Sequence, residues 1–127
     1  MSKKKLKIEM YSYGLYESWR DKKSGLPKII KHTKNIPAEI DIEFGYVLKI
    51  IGGKGKKIYF TMEHPPFKDS KGNVAAPFKG FEYIKTNEFL FFLGDCIWAP
   101  VEDKKGIWQL SCEIDGEKVS DMSFTIS

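Results

Sequence analysis

The sequence lacks the features that announce a membrane protein or a metal centre. None of its apolar runs approaches the ~18 residues that a membrane-spanning helix requires. It contains only two cysteines and two histidines, with no Cys-x-x-Cys spacing, whereas a closed zinc site takes four such ligands. We therefore expect no bound cofactor, no metal and no membrane partner.

Motifs for catalysis are also missing. The sequence has no Gly-x-Ser-x-Gly elbow, no phosphate-binding loop and no His-Glu-x-x-His. His64 follows Glu63, but neighbours on a strand point to opposite faces, which suits acid–base work poorly. His32 stands among lysines, away from any serine or cysteine of interest. We predict that the protein is not an enzyme, with a hydrolase using His64 as the remaining catalytic alternative.

Positive charge is concentrated at the start of the chain. The net charge of +4 equals the contribution of the four lysines at positions 3, 4, 5 and 7, and the remaining 17 basic residues balance the 17 acidic ones. This distribution predicts a flexible basic tail at 1–5 and a domain at 6–127 that is formally neutral apart from Lys7, which argues against a nucleic-acid role.

The basic start does not read as a secretory leader. Apolar and polar residues alternate over 6–10, whereas a leader needs ~7–15 continuous apolar residues. We expect a cytoplasmic protein in which Cys96 and Cys112 stay reduced.

Alternation with a period of two dominates the chain and predicts β-strands. In the clearest segment, 39–50, six apolar residues share one face: Ile40, Ile42, Phe44, Tyr46, Leu48 and Ile50. The Gly-Gly-Lys-Gly turn at 52–55 predicts a hairpin between this strand and the next one, at 58–62. The unbroken apolar run at 89–93 predicts a central strand covered on both faces.

The last third of the chain predicts a tight hairpin. Asp115-Gly116 separates two alternating segments, and both central positions of a type I′ turn need positive φ. Val119 is out of phase with the residues that follow it, which predicts a bulge. About seven to eight short strands without a helix predict one antiparallel β-sandwich, with a barrel as the alternative.

Two connections, 17–28 and 64–79, exceed hairpin length and are candidate functional loops. The candidate binding surface consists of aromatic and histidine side chains in these connections and in the predicted loop at 98: Trp19, His64, Phe67, Phe78 and Trp98. If exposed and adjacent, these side chains would form a recognition patch. The alternative is a second, smaller core that pins the loops. Tyr11, Tyr13 and Tyr59 lie in the phase opposite to the inward residues of their strands.

An acidic row precedes the central strand. Glu39, Asp41 and Glu43 could attract a hard cation. Alternate residues on one strand lie ~6.5 Å apart, however, so they cannot converge on one ion unaided. We interpret them as a solvated sheet face.

Several short segments together resemble a bacterial family of unknown function, domain-of-unknown-function family 3859. They are Ser12-Tyr13-Gly14-Leu15-Tyr16, Thr33, Ile36-Pro37-Ala38, Phe44-Gly45, Gly106-Ile107-Trp108, and the Gly116 turn leading to Phe124. The resemblance spans nearly the whole chain. It implies an immunoglobulin-like sandwich and no activity, so no catalytic residue is carried over. Only 15 residues separate Cys96 from Cys112, too few for the disulfide of antibody domains, so packing around Trp108 must hold the sheets together.

These observations favour a non-enzymatic interaction module that binds an unknown protein partner or forms a homodimer through a sheet face, an edge or the aromatic loops. The alternative function is a carbohydrate or small-ligand binding domain that uses Trp19 and Trp98.

Overall fold

Nine strands in two sheets form the part of the chain that the computed structural model describes, residues 6–17, 26–68 and 71–127. The strands are β1 Lys7–Tyr16, β2 Ile29–Lys31, β3 Asn35–Ile36, β4 Glu43–Ile51, β5 Lys57–Glu63, β6 Phe78–Tyr83, β7 Glu88–Cys96, β8 Gly106–Ile114 and β9 Glu117–Ile126. One turn of 3₁₀ helix, Glu102–Lys104, precedes β8. The predicted all-β sandwich is confirmed, and the excess over the predicted strand number comes from the short β2 and β3. Within the described ranges, no helix has the length and apolar character to cross a membrane.

The two sheets face each other across one apolar core. Their strand orders are β2-β1-β4-β7 and β3-β9-β8-β5-β6, with antiparallel neighbours except for the parallel pair β3–β9. Alternate residues of β4 and β8 point into the core, which is why an apolar residue recurs at every second position of these strands. Phe44 of β4 meets Trp108 of β8 edge to face, with ring centroids 5.4 Å apart. Trp108 thus links the two sheets without a disulfide, as expected.

The chain crosses between the sheets after β4, and the predicted hairpin at 52–55 is wrong. β4 lies in the first sheet and β5 in the second. Gly52 N–H donates to Asn87 O and Gly55 N–H donates to Ile84 O, both at 2.8 Å. The turn residues therefore hydrogen-bond to the neighbouring crossover between β6 and β7. A glycine-rich turn suits such a crossover as well as it suits a hairpin, so its sequence does not distinguish them.

The apolar run at 89–93 forms an edge strand, so the prediction of a central strand is also wrong. β7 pairs with β4 on one side only. Phe91 and Leu93 point inward, whereas Leu90 on the outer face is 38% exposed. The apolar side chain of Phe92 serves a contact outside the core. Its ring packs edge to face against Tyr16, at 5.1 Å between centroids, on the outer surface of the sheet.

The segment predicted as a strand over 39–50 begins as a strand only at Glu43. Asp41 adopts φ 71°, a left-handed conformation that interrupts the alternation. Its N–H donates to Ile97 O, while Ile97 N–H donates to Ile42 O, each at 2.9 Å. Ile40 is consequently exposed rather than directed into the core.

The C-terminal hairpin follows the prediction. Asp115 and Gly116 have φ values of 55° and 78°, both positive as a type I′ turn requires. In the β8–β9 register, Cys112 pairs with Ser120 and Glu113 pairs with Lys118, which leaves Val119 between them without a counterpart. The predicted bulge at Val119 is confirmed.

Three glycines form a row across the first sheet. Gly14 of β1 pairs with Gly45 of β4, which pairs with Gly94 of β7. The missing side chains make room on the outer face for aromatic rings. The Tyr16 hydroxyl reaches the Ser12 hydroxyl at 2.8 Å, so its ring spans Gly14, which lies between them on the strand. A Cβ atom on Gly94 would meet Phe92 Cζ at 2.6 Å.

Gly45→Ala should lower the free energy of unfolding by about 3 kcal/mol or more. Gly45 has φ 147°, and its added Cβ would lie 2.1 Å from Leu93 O. Gly55→Ala is the matched control, because Gly55 also has positive φ but no atom within 4 Å of the added Cβ. The control should lose only about 1 kcal/mol. Urea denaturation measures both values, and equal losses would contradict the role assigned to the glycine row.

Tyr16 should make the fold sensitive to alkali. Burial raises the pKa of its hydroxyl to about 12, although the hydrogen bond with Ser12 acts in the opposite direction. A raised folded-state pKa contributes stability that is present below the unfolded pKa of about 10 and is lost as pH rises towards 12. We expect the urea midpoint of the native protein to fall more steeply between pH 9 and pH 11.5 than that of Tyr16→Phe. Parallel slopes would show that Tyr16 ionises equally in both states.

Candidate functional site

Four of the five predicted site residues come together beneath the long connection between β5 and β6. His64 opens this connection, Phe67 lies within it, Phe78 begins β6, and Trp98 follows β7. Trp19, the fifth, lies outside the described residues. We name the group His64, Phe67, Phe78, Trp98 and Trp108 the loop cluster.

The rings of the loop cluster contact one another closely. His64 lies 4.3 Å from Phe67 and 4.9 Å from Phe78 between ring centroids. Phe67 meets Trp98 edge to face at 5.5 Å and is stacked on Trp108 at 6.4 Å. Phe67 is only 7% exposed, and the other three predicted residues are half-buried. This geometry is that of a small second core attached to the main one through Trp108.

A buried lysine completes the loop cluster. The Lys104 side chain is 1% exposed, and its Nζ lies 4.8 Å from the Phe67 centroid and 4.5 Å from the Trp98 centroid. Such cation–π contacts are stronger when the cation is desolvated. The ammonium also donates to Pro100 O at 3.0 Å and to Asp103, which compensates for its lost hydration. Nothing in the sequence pattern distinguishes this lysine from the exposed ones.

His64 is positioned by the backbone rather than by a catalytic partner. Its Nδ1 lies 2.9 Å from Pro65 O, and its Nε2 lies 2.9 Å from Ala76 O. The imidazole therefore bridges the two ends of the connection between β5 and β6. Both ring nitrogens already contact carbonyl oxygens, so this arrangement suits loop closure better than proton transfer to a substrate.

The acidic row does not form one sheet face. Glu39 and Asp41 precede β4 and are exposed, whereas Glu43 begins the strand and is buried. Within the described ranges, no three side chains among His, Cys, Asp and Glu lie close enough together to hold a metal ion. The interpretation as a solvated sheet face is wrong in detail, because the turn at Asp41 separates the three residues.

Cys112 lies in a buried polar network at the centre of the core. The Tyr46 hydroxyl donates to Leu110 O at 3.0 Å and lies 2.8 Å from the Ser120 hydroxyl and 3.6 Å from Cys112 Sγ. Burial raises the pKa of both the Tyr46 hydroxyl and the Cys112 thiol. Since a thiolate is the reactive form of cysteine, this environment makes Cys112 inert and leaves it as a packed core residue.

A second aromatic group is exposed on the outer face of the β5–β6 pair. We name Tyr59, Phe81 and Tyr83 the aromatic patch; they are 47%, 47% and 55% exposed. Phe81 lies 5.7 Å from Tyr59 and 5.6 Å from Tyr83 between ring centroids. Lys57 Nζ sits 4.9 Å from the Phe81 ring and 5.3 Å from the Tyr83 ring. The patch is thus an ordered apolar surface with a cation at one end.

A shallow groove of about 360 Å³ lies beside Tyr59 and Phe81 of the aromatic patch. Its walls are Tyr59, Phe60, Thr61, Lys79, Gly80, Phe81 and Glu113. Sequence reasoning singled out Tyr59 by its phase but not Phe81 or Tyr83. The missing information was the pairing of β5 with β6, which places Tyr59 opposite Phe81 and Lys57 opposite Tyr83 across a long connection.

Two sheets of this order, joined by crossovers and held by a central tryptophan, define an immunoglobulin-like β-sandwich. The crystal structure of an immunoglobulin-like protein from Pseudomonas aeruginosa is similar to this chain, with a TM-score of 0.81, 18% sequence identity and full coverage of both chains. Residues 4–126 match the family model described as Domain of unknown function (DUF3859), and the chain belongs to that family. No curated protein matches the sequence.

Phe67→Ala should lower the free energy of unfolding by about 3 kcal/mol, as expected for a buried phenylalanine. Phe81→Ala is the matched control, because the same side chain is removed from a half-exposed position; it should cost less than about 1 kcal/mol. Urea denaturation followed by tryptophan fluorescence gives both values. A Phe67→Ala protein as stable as the control would show that the loop cluster is not a second core.

Proposed function

We propose that this protein is a non-enzymatic interaction module that recognises a protein partner through the aromatic patch and the adjoining edge of β6. The observation that carries this proposal is the exposure of three large rings on one ordered sheet surface. Aromatic side chains are enriched at protein interfaces, and rigid rings lose little conformational entropy on binding. The patch supports this role better than the loop cluster, whose rings are committed to packing.

The edge of β6 adds backbone hydrogen-bonding groups to the same surface. β6 ends its sheet, and among the described strands none pairs with its outer side. An unpaired edge can accept an extended strand from a partner, with backbone hydrogen bonds supplying affinity and side-chain contacts supplying specificity. The opposite end of this sheet is the short β3, which pairs with β9 at Thr125 and Ile126.

The side chains with catalytic potential have structural surroundings that favour the non-enzymatic proposal. His64 contacts two carbonyl oxygens in the loop cluster, and Cys112 lies inside the core. A nucleophile needs a nearby base and access to substrate. Neither residue meets both requirements.

A pull-down with the tagged protein tests the proposal. The patch variant Phe81→Ser/Tyr83→Ser removes two exposed rings, while Ile107→Ser removes a 65% exposed side chain from another strand of the same sheet. Partners captured by the native protein should be retained by Ile107→Ser and lost by the patch variant. Equal retention by both variants would contradict recognition through the patch.

Carbohydrate binding is the second candidate function. The groove favours it, because Tyr59 and Phe81 offer ring surfaces beside the polar side chains of Thr61, Lys79 and Glu113. Trp98 suits this role less well, since Lys104 and Phe67 already contact its ring. Titration of a sugar panel, followed by NMR shifts of the Tyr59 and Phe81 amides, distinguishes the two functions. Saturable shifts at these residues would support sugar binding. Unchanged spectra would contradict sugar binding, and the protein-interaction proposal would then be the one that remains.

A further inference from the structure

We infer that the partner of the β6 edge is a second copy of this chain, paired antiparallel through β6 about a two-fold axis at Phe81. This inference rests on the proposed function, because it identifies the partner of the same surface. It is carried by the electrostatic and steric match of β6 with itself, which follows from the order of its six residues.

Symmetry restricts the possible registers. Two antiparallel edge strands in one continuous sheet are related by a two-fold axis perpendicular to the sheet, so the outer face of one copy continues the outer face of the other. Residues of the same face must then stand opposite each other. With the axis at Phe81, this residue faces Phe81 of the second copy, and Lys79 faces Tyr83 of the second copy.

Both outer-face pairings are of the same kinds, cation with ring and ring with ring, as pairings that the chain already makes. Within one copy, Lys57 stands opposite Tyr83 and places its Nζ 5.3 Å from the Tyr83 ring. Tyr59 stands opposite Phe81, with ring centroids 5.7 Å apart. In the dimer, Tyr83 receives a second cation, Lys79 of the other copy. The ring row becomes Tyr59, Phe81, Phe81 and Tyr59 across the boundary. Cross-strand aromatic and cation–π pairs of this kind are favourable.

The inner-face residues of β6 fit the same register. Glu82 stands opposite Gly80 of the second copy, which presents no side chain. The inner side of Gly80 is already filled by Phe60, whose Cζ would lie 2.6 Å from an added Cβ. Glu82 therefore faces no side chain of the opposing β6 strand, and no two like charges stand directly opposite each other. Pro77 precedes β6 and lacks a backbone N–H, which limits the new ladder to β6 itself.

Of the other three terminal strands described, β2 and β3 span only 3 and 2 residues, and β7 is less self-complementary than β6. The outer face of β7 carries Glu88, which is ion-paired with Lys49, then Leu90, and then Phe92, whose ring is committed to Tyr16. None of these offers a cation–aromatic match with a second β7. The observations therefore favour β6.

Sedimentation velocity tests the inference on the full chain. A six-residue edge is smaller than a standard interface, so we expect weak, reversible dimerisation. The sedimentation coefficient should rise as the protein concentration is raised from about 5 to about 500 µM. Phe81→Lys places two ammonium groups together at the two-fold axis and should weaken dimerisation at least about 10-fold. Ile107→Lys makes the same change in charge at an exposed position outside the interface and should leave dimerisation unchanged.

Cysteine cross-linking tests the register. Directly opposed residues of antiparallel strands have Cβ atoms about 4.5–5.5 Å apart, so Phe81→Cys should form a disulfide-linked dimer under mild oxidation. Ile107→Cys, the control, should remain monomeric on a non-reducing gel. Equal cross-linking of both variants would overturn the register.

The outcomes separate this inference from the proposed function. A native protein that stays monomeric up to about 500 µM overturns self-pairing. If such a monomer still captures another protein in a patch-dependent way, the interaction function stands without the homodimer. A dimer that survives Phe81→Lys places the interface elsewhere and overturns pairing through β6.

Discussion

The burial of Trp108 is the contact on which both cores depend. Its ring meets Phe44 of the opposite sheet in a T-shaped contact, while Phe67 stacks on it from the long connection after β5. Its indole N–H donates to Lys104 O at 2.8 Å, so the ring also fixes the 3₁₀ turn that brings the Lys104 ammonium under the loop cluster. A smaller side chain at this position would remove the contacts with Phe44 and with Phe67 together, and so the link between the main core and the loop cluster. The chain thereby does with one indole what antibody domains do with a tryptophan and a disulfide.

The fold class could be predicted from the sequence because strand periodicity is a local property. Phe44, Tyr46 and Leu48 alternate with a period of two whatever they pair with, and the Asp115-Gly116 turn carries its own conformational requirement. Strand order is different, since it depends on which apolar face meets which. The glycines at 52–55 serve a crossover as readily as a hairpin, and the apolar residues of 89–93 reflect two separate contacts, one inside the core and one with Tyr16 outside it.

The candidate site was predictable only in part for the same reason. The sequence singled out His64, Phe67, Phe78 and Trp98 as candidates for one surface, and the structure brings these four together. The sequence left open whether these rings are exposed or form a second core, and the buried Lys104 that contacts Phe67 and Trp98 looks like any other lysine. The aromatic patch could not be predicted because its residues are far apart in the sequence. Tyr59 and Phe81 become neighbours only when β5 and β6 pair.

The hydrogen bonds between the two crossovers bear on how the chain reaches this structure. Gly52 and Gly55 can hydrogen-bond to Asn87 and Ile84 only when β5 and β6 lie in the second sheet and the chain has crossed back to the first sheet as β7. Among the described strands, β8 and β9 are the pair joined by a two-residue turn, so ordering is easiest at the C-terminal hairpin. Pairings between distant segments are slow to form because loop closure costs entropy before contacts repay it. The contacts between the crossovers join residues 29 and 35 positions apart (84 − 55 and 87 − 52), fewer than the 90 positions between Asn35 and Thr125. A nascent chain can therefore form them once residue 87 has been synthesised, before the pairing of β3 with β9 is possible.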